Sequence, residues 1–363
     1  MEYRFLELIE KIEDLDSNKM NEAKEHLNNL AKPIGSLGKL EDIYMQFAGI
    51  SGKCENRVEA CLNVYASDNG VVEENVSSTP QDVTFKQAIN IKDGKSGAGV
   101  IAAYYNVDIN VYDLGIIGDT KKYNIINKKI RESTSNIYNG AAMTKDECLK
   151  AIQIGFDSIK ELKDEYNVFG IGEMGIGNTT TSSAILSVLS GLSVEAVTGK
   201  GAGLTDDAYK HKIDVIKHAI EINNPSKDDV YDTLSKLGGF DICAMVGAYL
   251  ACAYYKKIAV IDGFISALAA YVAFKINNKA KHYMIASHKS FEIGYDHIMK
   301  EMGLSPLFDL NMRLGEGSGT PIAINLISLA CCITSNMSTF KEASIDDDYI
   351  QDLKKGDKFT VKR

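Results

Sequence analysis

The sequence predicts an α/β protein built on a mainly parallel sheet with helices on both faces. Three observations carry that reading: short β-rich runs recur along the chain, each ends in a polar or glycine-containing turn, and helical stretches separate them. The runs are 62–66 before Ser67-Asp68-Asn69-Gly70, 107–112 before Asp113-Leu114-Gly115, and 168–171 before Gly172-Glu173-Met174-Gly175. Two more are 258–261 before Asp262-Gly263 and 283–286 before Ser287-His288. Any one of these turns uses ordinary turn residues. Their repetition matters more, because ligands of such sheets collect at the carboxyl ends of the strands, where these Asp, Glu, Asn and His residues accumulate.

The remaining elements follow in chain order. Phe5, Leu8, Ile9, Ile12 and Leu15 share one helical face, and Met20, Ala23, Leu27 and Leu30 share another, so two amphipathic helices are expected at the start. Lys32-Pro33-Ile34-Gly35-Ser36-Leu37-Gly38-Lys39-Leu40-Glu41 reads as a turn and helix start that Ser36 is placed to cap. The apolar region 242–276 is interrupted by Lys256, Lys257 and Asp262, which disqualifies it as a membrane span. The apolar run 322–332 is a buried helix too short to cross a membrane, and 341–363 reads as a charged tail.

With 363 residues, 45% of them hydrophobic, the chain buries a large core. A net charge of -9 argues against nucleic acid as a partner, so an anionic substrate has to be held by local devices. Seven cysteines, scattered and never spaced C-x-x-C, read as reduced core residues of a cytoplasmic protein, with no zinc or iron–sulfur site and no cofactor. The charged, amphipathic start lacks the apolar segment of a secretory signal. The histidines 211, 218, 282, 288 and 297 show no metal-ligand spacing, and His288 draws notice only because it ends a strand.

Two stretches suit an anion. Gly172-Glu173-Met174-Gly175-Ile176-Gly177-Asn178-Thr179-Thr180-Thr181-Ser182 follows a strand and enters a helix, so free backbone N–H groups and several hydroxyls gather at a glycine-lined helix start. It is neither a Walker loop nor a dinucleotide fingerprint in the usual register. Thr198-Gly199-Lys200-Gly201-Ala202-Gly203 brings a cation and bare backbone together ahead of a helix carrying Lys210, His211 and Lys212, an arrangement suited to a phosphate monoester. The plain alternatives are a Thr-capped helix and solvated surface lysines.

Asp309-Leu310-Asn311-Met312-Arg313-Leu314-Gly315-Glu316-Gly317-Ser318-Gly319-Thr320-Pro321 sets one carboxylate, Glu316, among glycines at a helix entrance. There the backbone can approach a ligand closely and Glu316 can take a proton from it. On motif shape alone an ordinary helix start explains it equally well, with Ser318 or Thr320 as cap, Pro321 in the first turn and Glu316 at the positive helix end.

Taken together, these stretches resemble the nicotinate-nucleotide:dimethylbenzimidazole phosphoribosyltransferases, which make the lower-ligand nucleotide of cobalamin. The resemblance runs from Lys32-Pro33-Ile34-Gly35-Ser36-Leu37-Gly38 through Pro80-Gln81-Asp82-Val83-Thr84 and 172–181 to 198–203, Asp262-Gly263-Phe264 and 313–321. It implies transfer of a 5-phosphoribosyl group from nicotinate mononucleotide to a benzimidazole nitrogen, with inversion at the ribose C1. It also implies that Glu316 is the catalytic base. Such a base works best with a pKa near the operating pH; an apolar base pocket raises it, the helix end lowers it, and desolvation is expected to prevail.

Glu173 matches a second acidic position, as a later proton acceptor or an orienting group; alternatively, it binds the N–H groups of its own loop. Gly175, Gly177, Asn178, Thr179, Gly201 and Lys212 correspond to phosphate and ribose contacts, and Gln87, Leu314 and Ser78 to the base pocket. The implied fold is a large Rossmann-like domain with a small helical domain made from both chain ends, in a homodimer. The expected partition is 1–60, 61–300 and 301–363. One departure stands out: Asn69 replaces the histidine of the Asp-His-Gly that many relatives carry, which bears on base preference. The competing readings are another nucleotide-processing enzyme, which would need a metal-binding carboxylate cluster, and a non-catalytic nucleotide-binding regulator, which could dispense with Glu316.

Overall fold

The structure, a computed structural model, describes residues 3–54, 57–199, 203 and 205–347. Six strands form one sheet: β1 (Ala60–Ser67), β2 (Asp108–Gly115), β3 (Ile126–Asn127), β4 (Val168–Met174), β5 (Ile258–Ile261) and β6 (Met284–Ala286). Their order is β3-β2-β1-β4-β5-β6, and every neighbouring pair is parallel. This Rossmann-like order reverses direction between β1 and β4, and the loops leaving those two strand ends diverge to leave a crevice. The register sets Tyr65 opposite Glu173 and Ala66 opposite Met174, so the 67–70 turn and the 173–177 turn leave the sheet side by side.

Strands β4 and β5 are buried along their whole length and β1 at all but its first residue, the pattern of a parallel sheet covered on both faces. The five β-rich runs in the sequence are β1, β2, β4, β5 and β6. The sixth strand, β3, has two residues and pairs with the end of β2 at Tyr112 and Asp113. A segment that short carries no alternation to read.

The core centres on helix Phe240–Tyr254, apolar on every side and buried from Phe240 to Ala253. It lies backbone to backbone against helix Lys145–Leu162. A Cβ added at Gly155 would stand 1.8 Å from the carbonyl oxygen of Ala244, and one at Gly247 would stand 1.9 Å from that of Ile152. Two glycines therefore set this helix spacing. Helix Lys145–Leu162 itself starts with a capping box, in which Thr144 accepts from the Glu147 N–H and the Glu147 carboxylate accepts from the Thr144 N–H.

The chain divides into two compact units, Met1–Glu13 with Glu59–Ile324, and Asp14–Val58 with Asn325–Arg363. The partition expected from sequence lies at 60 and 300. Residues 3–13 go with the large unit because Phe5 packs on Phe156 at 6.3 Å between ring centres. In addition, Ile9 O accepts from Asn277 Nδ2 at 2.8 Å and Glu13 O from Tyr283 Oη at 3.0 Å. The first expected helix is accordingly short, Phe5–Ile9, and the second is Ser17–Asn29.

In the small unit Asp16 caps Ser17–Asn29, accepting from the N–H groups of Asn18 and Lys19. Helix Lys39–Ser51 follows Gly38 with no side-chain cap, so Ser36 does not serve as one. Instead the turn is fixed by a buried ion pair of 2.8 Å between Lys32 and Glu41, whose carboxylate also accepts from Leu37 N. The tail from residue 348 lies outside the described residues. Among the described residues no helix is long and apolar enough to cross a membrane.

Candidate active site

At the carboxyl ends of β4, β5 and β6 the large unit holds a cavity of about 300 Å³. That volume is in the range of a small-molecule site. Its lining includes the 173–177 turn, the turn after β5 at Asp262, residues 313–316, the segment 76–79 and, after β6, His288, Ser290 and Glu292.

Glu316 sits in an unusual backbone. Its φ is 61°, between Gly315 at 82° and Gly317 at 79°, so three consecutive residues lie in the left-handed region. For a non-glycine residue this conformation is disfavoured by about 1–2 kcal/mol, and contacts have to hold it. Asp262 supplies them: Oδ2 accepts from Gly317 N at 3.1 Å and Oδ1 from Gly319 N at 2.7 Å. The glycine at 317 is also required by proximity, because a Cβ there would stand 2.5 Å from Leu62 Cδ1 and 3.1 Å from the Gly172 Cα in β4. The loop thus rests directly on the sheet, and Glu316 is aimed by the strand ends beneath it.

The Glu316 side chain is 5% exposed and accepts two hydrogen bonds. Gln87 Nε2 donates to Oε1 at 2.6 Å, and Ala98 N donates to Oε2 at 3.3 Å. Asn90 Nδ2 donates to Gln87 Oε1 at 3.2 Å, which fixes the Gln87 amide with its NH₂ toward the glutamate. Both contacts are N–H donors, so each Glu316 carboxyl oxygen acts as an acceptor.

Glu173, near the end of β4, has both oxygens engaged. Oε1 accepts from Glu316 N at 3.4 Å and Oε2 accepts from Asn178 Nδ2. The second hydrogen of the same Asn178 amide goes to Asp241 Oδ2 at 3.0 Å. Burial pushes the Glu173 carboxyl up to about 8, with the neighbouring Asp241 adding to the effect, and burial pushes Asp241 up to about 7. Asp262 is also raised by burial, against the opposing influence of His288. His288 Nδ1 lies 3.7 Å from Asp262 Oδ1.

On the other wall, Thr179 follows the glycine turn at the start of helix Asn178–Ser190, and its Oγ1 accepts from Lys212 Nζ at 3.0 Å. Lys212, in helix Asp206–Asn223, is 1% exposed, and burial lowers its pKa to about 8 while Glu292 counters. A buried ammonium whose hydrogen-bond partner among the described residues is a hydroxyl is suited to an incoming anion.

Ten residues singled out from the sequence line this cavity: Glu316, Glu173, Gly175, Gly177, Asn178, Thr179, Lys212, Gln87, Leu314 and Ser78. The eleventh, Gly201, lies outside the described residues with its neighbour Lys200. Asn69 does not line the cavity. It is fully buried behind the glycine turn, where its Nδ2 would be 2.9 Å from a Cβ at Gly175 and its Cβ 3.6 Å from one at Gly177. Met174, Asp262, His288 and Glu292 line the cavity without having been assigned a role from sequence. Asp241 was missed altogether, for it stands at the head of a long apolar helix after Gly238-Gly239, where an acidic residue reads as ordinary helix-start chemistry.

Comparison with known proteins bears on the family of the chain. A family model described as phosphoribosyltransferase matches residues 12–345. The nicotinate-nucleotide–dimethylbenzimidazole phosphoribosyltransferase of Clostridium acetobutylicum is 47% identical over 341 residues, covering 93% of this chain and 97% of the relative. The protein of that name from Clostridium perfringens strain 13 is 45% identical, covering 96% and 97%. The crystal structure of the Thermus thermophilus protein of that name superposes with a TM-score of 0.85 at 30% identity, covering 92% of this chain and 99% of that one. On this sequence and structural likeness, spanning nearly the whole chain, the protein belongs to the nicotinate-nucleotide–dimethylbenzimidazole phosphoribosyltransferase family.

Proposed function

We propose that the protein transfers the 5-phosphoribosyl group of nicotinate mononucleotide to 5,6-dimethylbenzimidazole or a related lower-ligand base. The products are α-ribazole 5′-phosphate and nicotinate, with inversion at the ribose C1. Family membership supports the reaction class, and the observation that carries the chemistry is the Glu316 carboxylate, held in the cavity by donors only.

One azole nitrogen attacks C1 as the bond from C1 to the pyridinium nitrogen breaks, and that electron pair neutralises the departing nicotinate ring. The leaving group therefore needs no general acid. The ring N–H of the incoming base becomes acidic as its other nitrogen is alkylated, and the proton passes to Glu316. Glu173, whose Oε1 accepts from the Glu316 N–H, receives the proton next or orients the base. Lys212, Thr179, Gly175, Gly177 and Gly201 take the phosphate. Asn178 has both amide hydrogens committed, which leaves its Oδ1 for a ribose hydroxyl. Ser78, Leu314 and Gln87 frame the base. Holding both reactants in line accounts for much of the rate. We place the reaction in the cytoplasm and take the working form as a homodimer, in keeping with the family.

The test is incubation of the purified protein with nicotinate mononucleotide and 5,6-dimethylbenzimidazole, following nicotinate and α-ribazole phosphate by chromatography, with Glu316→Ala alongside. Equal release of both products, lost in the variant, is the expected result. Absence of product with any azole, purine or phenol would overturn the reading.

A further inference from the structure

Behind Glu173 a chain of buried polar groups runs from Asn178, at the cavity wall, to Asp241 and Asn69, two residues that the reaction above does not use. Asp241 is completely buried, as is Asn69. Asp241 Oδ2 accepts from Asn178 Nδ2, whereas its Oδ1 has no hydrogen-bond partner, and neither has Asn69 Oδ1. These two oxygens converge. A Cβ built on Gly239 would lie 2.2 Å from Asp241 Oδ1 and 2.5 Å from Asn69 Oδ1. Two acceptor oxygens buried against the same spot without a hydrogen between them are unfavourable, and one proton on Asp241 Oδ1, donated to Asn69 Oδ1, satisfies both.

Glu173 has the opposite surroundings. Each of its oxygens receives a donor, from Glu316 N and from Asn178, as a carboxylate requires. Asn178 joins the two acids through the two hydrogens of one amide, so the second charge would be placed close to the first in a buried setting. We infer that Asp241 is a positioning residue of this site: it holds a proton against Asn69, anchors Asn178, and thereby removes a second charge from beside Glu173, so that Glu173 is the first of the pair to ionise and the one that receives a proton.

The other charged groups around the pair bear on its titration. Glu316 and Asp262 are both acidic, and Asp262 acts on Glu173 through space. Asp68, next to Asn69, is raised to about 6 by burial. Arg131 lies over the Phe240 ring at 5.3 Å, but its guanidinium is paired with Glu147. The first turn of helix Phe240–Tyr254, the Ile242 and Asp241 N–H groups and the Asn178 and Asn69 amides favour a negative Asp241, and burial stands against them and prevails. Turning the Asn69 amide over would offer an NH₂ to an ionised Asp241, while pointing the amide oxygen at Ser67 O, which Nδ2 now meets at 3.4 Å. The two arrangements make different predictions.

Asp241→Asn reproduces the protonated acid, since its amide can accept from Asn178 and donate to Asn69, whereas Asp241→Ala removes the anchor of Asn178. In the infrared difference spectrum of wild type minus Asp241→Asn at pH 7, a protonated carboxylic-acid C=O band is expected on the wild-type side. An ionised-carboxylate pair of bands there would overturn the inference. This arm needs no substrate and stands apart from the transferase reading.

The kinetic arm rests on that reading. At pH 7, Asp241→Asn is expected to keep at least about tenfold more kcat than Asp241→Ala, and its pH–kcat profile is expected to lose one ionisation on the alkaline side. Equal losses in the two variants, or an unshifted profile, would refute the role of Asp241. A wild-type protein without transferase activity would refute the proposed function instead and leave the infrared result standing.

Discussion

Asp262→Asn is the substitution that most directly separates a loop held in place from a loop merely present. Asp262 accepts from Gly317 N and Gly319 N, on either side of the left-handed turn that carries Glu316. An asparagine keeps one acceptor oxygen and turns an NH₂ toward the other N–H. The oxygen retains the shorter bond, to Gly319. The Gly317 N–H then loses a charge-assisted hydrogen bond of about 1.5–3 kcal/mol, and leaving it unpaired adds about 1–3 kcal/mol. Restoring a neutral side chain returns part of this, since burial disfavours the Asp262 anion.

A net loss of about 3 kcal/mol acts on a loop whose central residue is already disfavoured, so Gly315–Gly317 is expected to relax toward ordinary φ and carry Glu316 away from Gln87. A displacement of about 1 Å at a reacting group lowers the rate by about 100-fold. Steady-state kinetics with nicotinate mononucleotide as the varied substrate should show that loss in kcat, with KM within about threefold, because the phosphate wall at Lys212 and Thr179 is untouched. Urea unfolding of the same variant measures the stability change. A variant that unfolds more easily but keeps kcat within about threefold would refute the argument, reducing Asp262 to a brace for the fold.

Other expectations follow from the same site. Glu173 and Asp241 bind a proton more tightly folded than unfolded, so stability is fully expressed below the unfolded carboxyl range and declines as pH rises toward about 8. The slope expected from urea midpoints between pH 5 and 8 is about -1.4 kcal/mol per pH unit for one proton, and it should flatten in Asp241→Asn. Lys212→Ala is expected to raise KM for nicotinate mononucleotide by about 10- to 100-fold with a smaller effect on kcat. In wild type the same KM should climb above pH 8, as the lysine loses its charge. Gly155→Ala forces a methyl group into the Ala244 carbonyl and is expected to destabilise by about 3 kcal/mol in urea; a change under about 1 kcal/mol would show that the two helices separate freely.

The sheet was legible because parallel strands buried on both faces leave uninterrupted apolar runs, and because each run here stops at a turn with its own polar signature. What was not legible follows from interactions distant in sequence. The short helix Phe5–Ile9 carries the same apolar spacing as its successor, but it belongs with the large unit through Phe156, Asn277 and Tyr283, residues that no local pattern connects to it. Ser36 offered a cap that the helix does not use, because the Lys32–Glu41 pair already closes that turn. Glu316 could not be separated from an ordinary helix start by motif shape. Its identity as a held carboxylate depends on Gln87 and Ala98, more than two hundred residues away in the chain.

Asp241 is the instructive omission. Acidic residues at helix starts are common enough that no sequence pattern distinguishes one serving its helix from one serving a catalytic neighbour. The distinction lies in which atom faces which: Oδ2 toward an amide already shared with Glu173, and Oδ1 toward another oxygen. The same geometry places Asn69, where the family resemblance leads to an expectation of histidine, outside the cavity wall and against Asp241. A ring nitrogen there would present a donor to Asp241 and favour its anion, bringing back the second buried charge beside Glu173. The exchange at position 69 therefore bears first on the protonation of the acid pair, and on the base pocket only through Glu173.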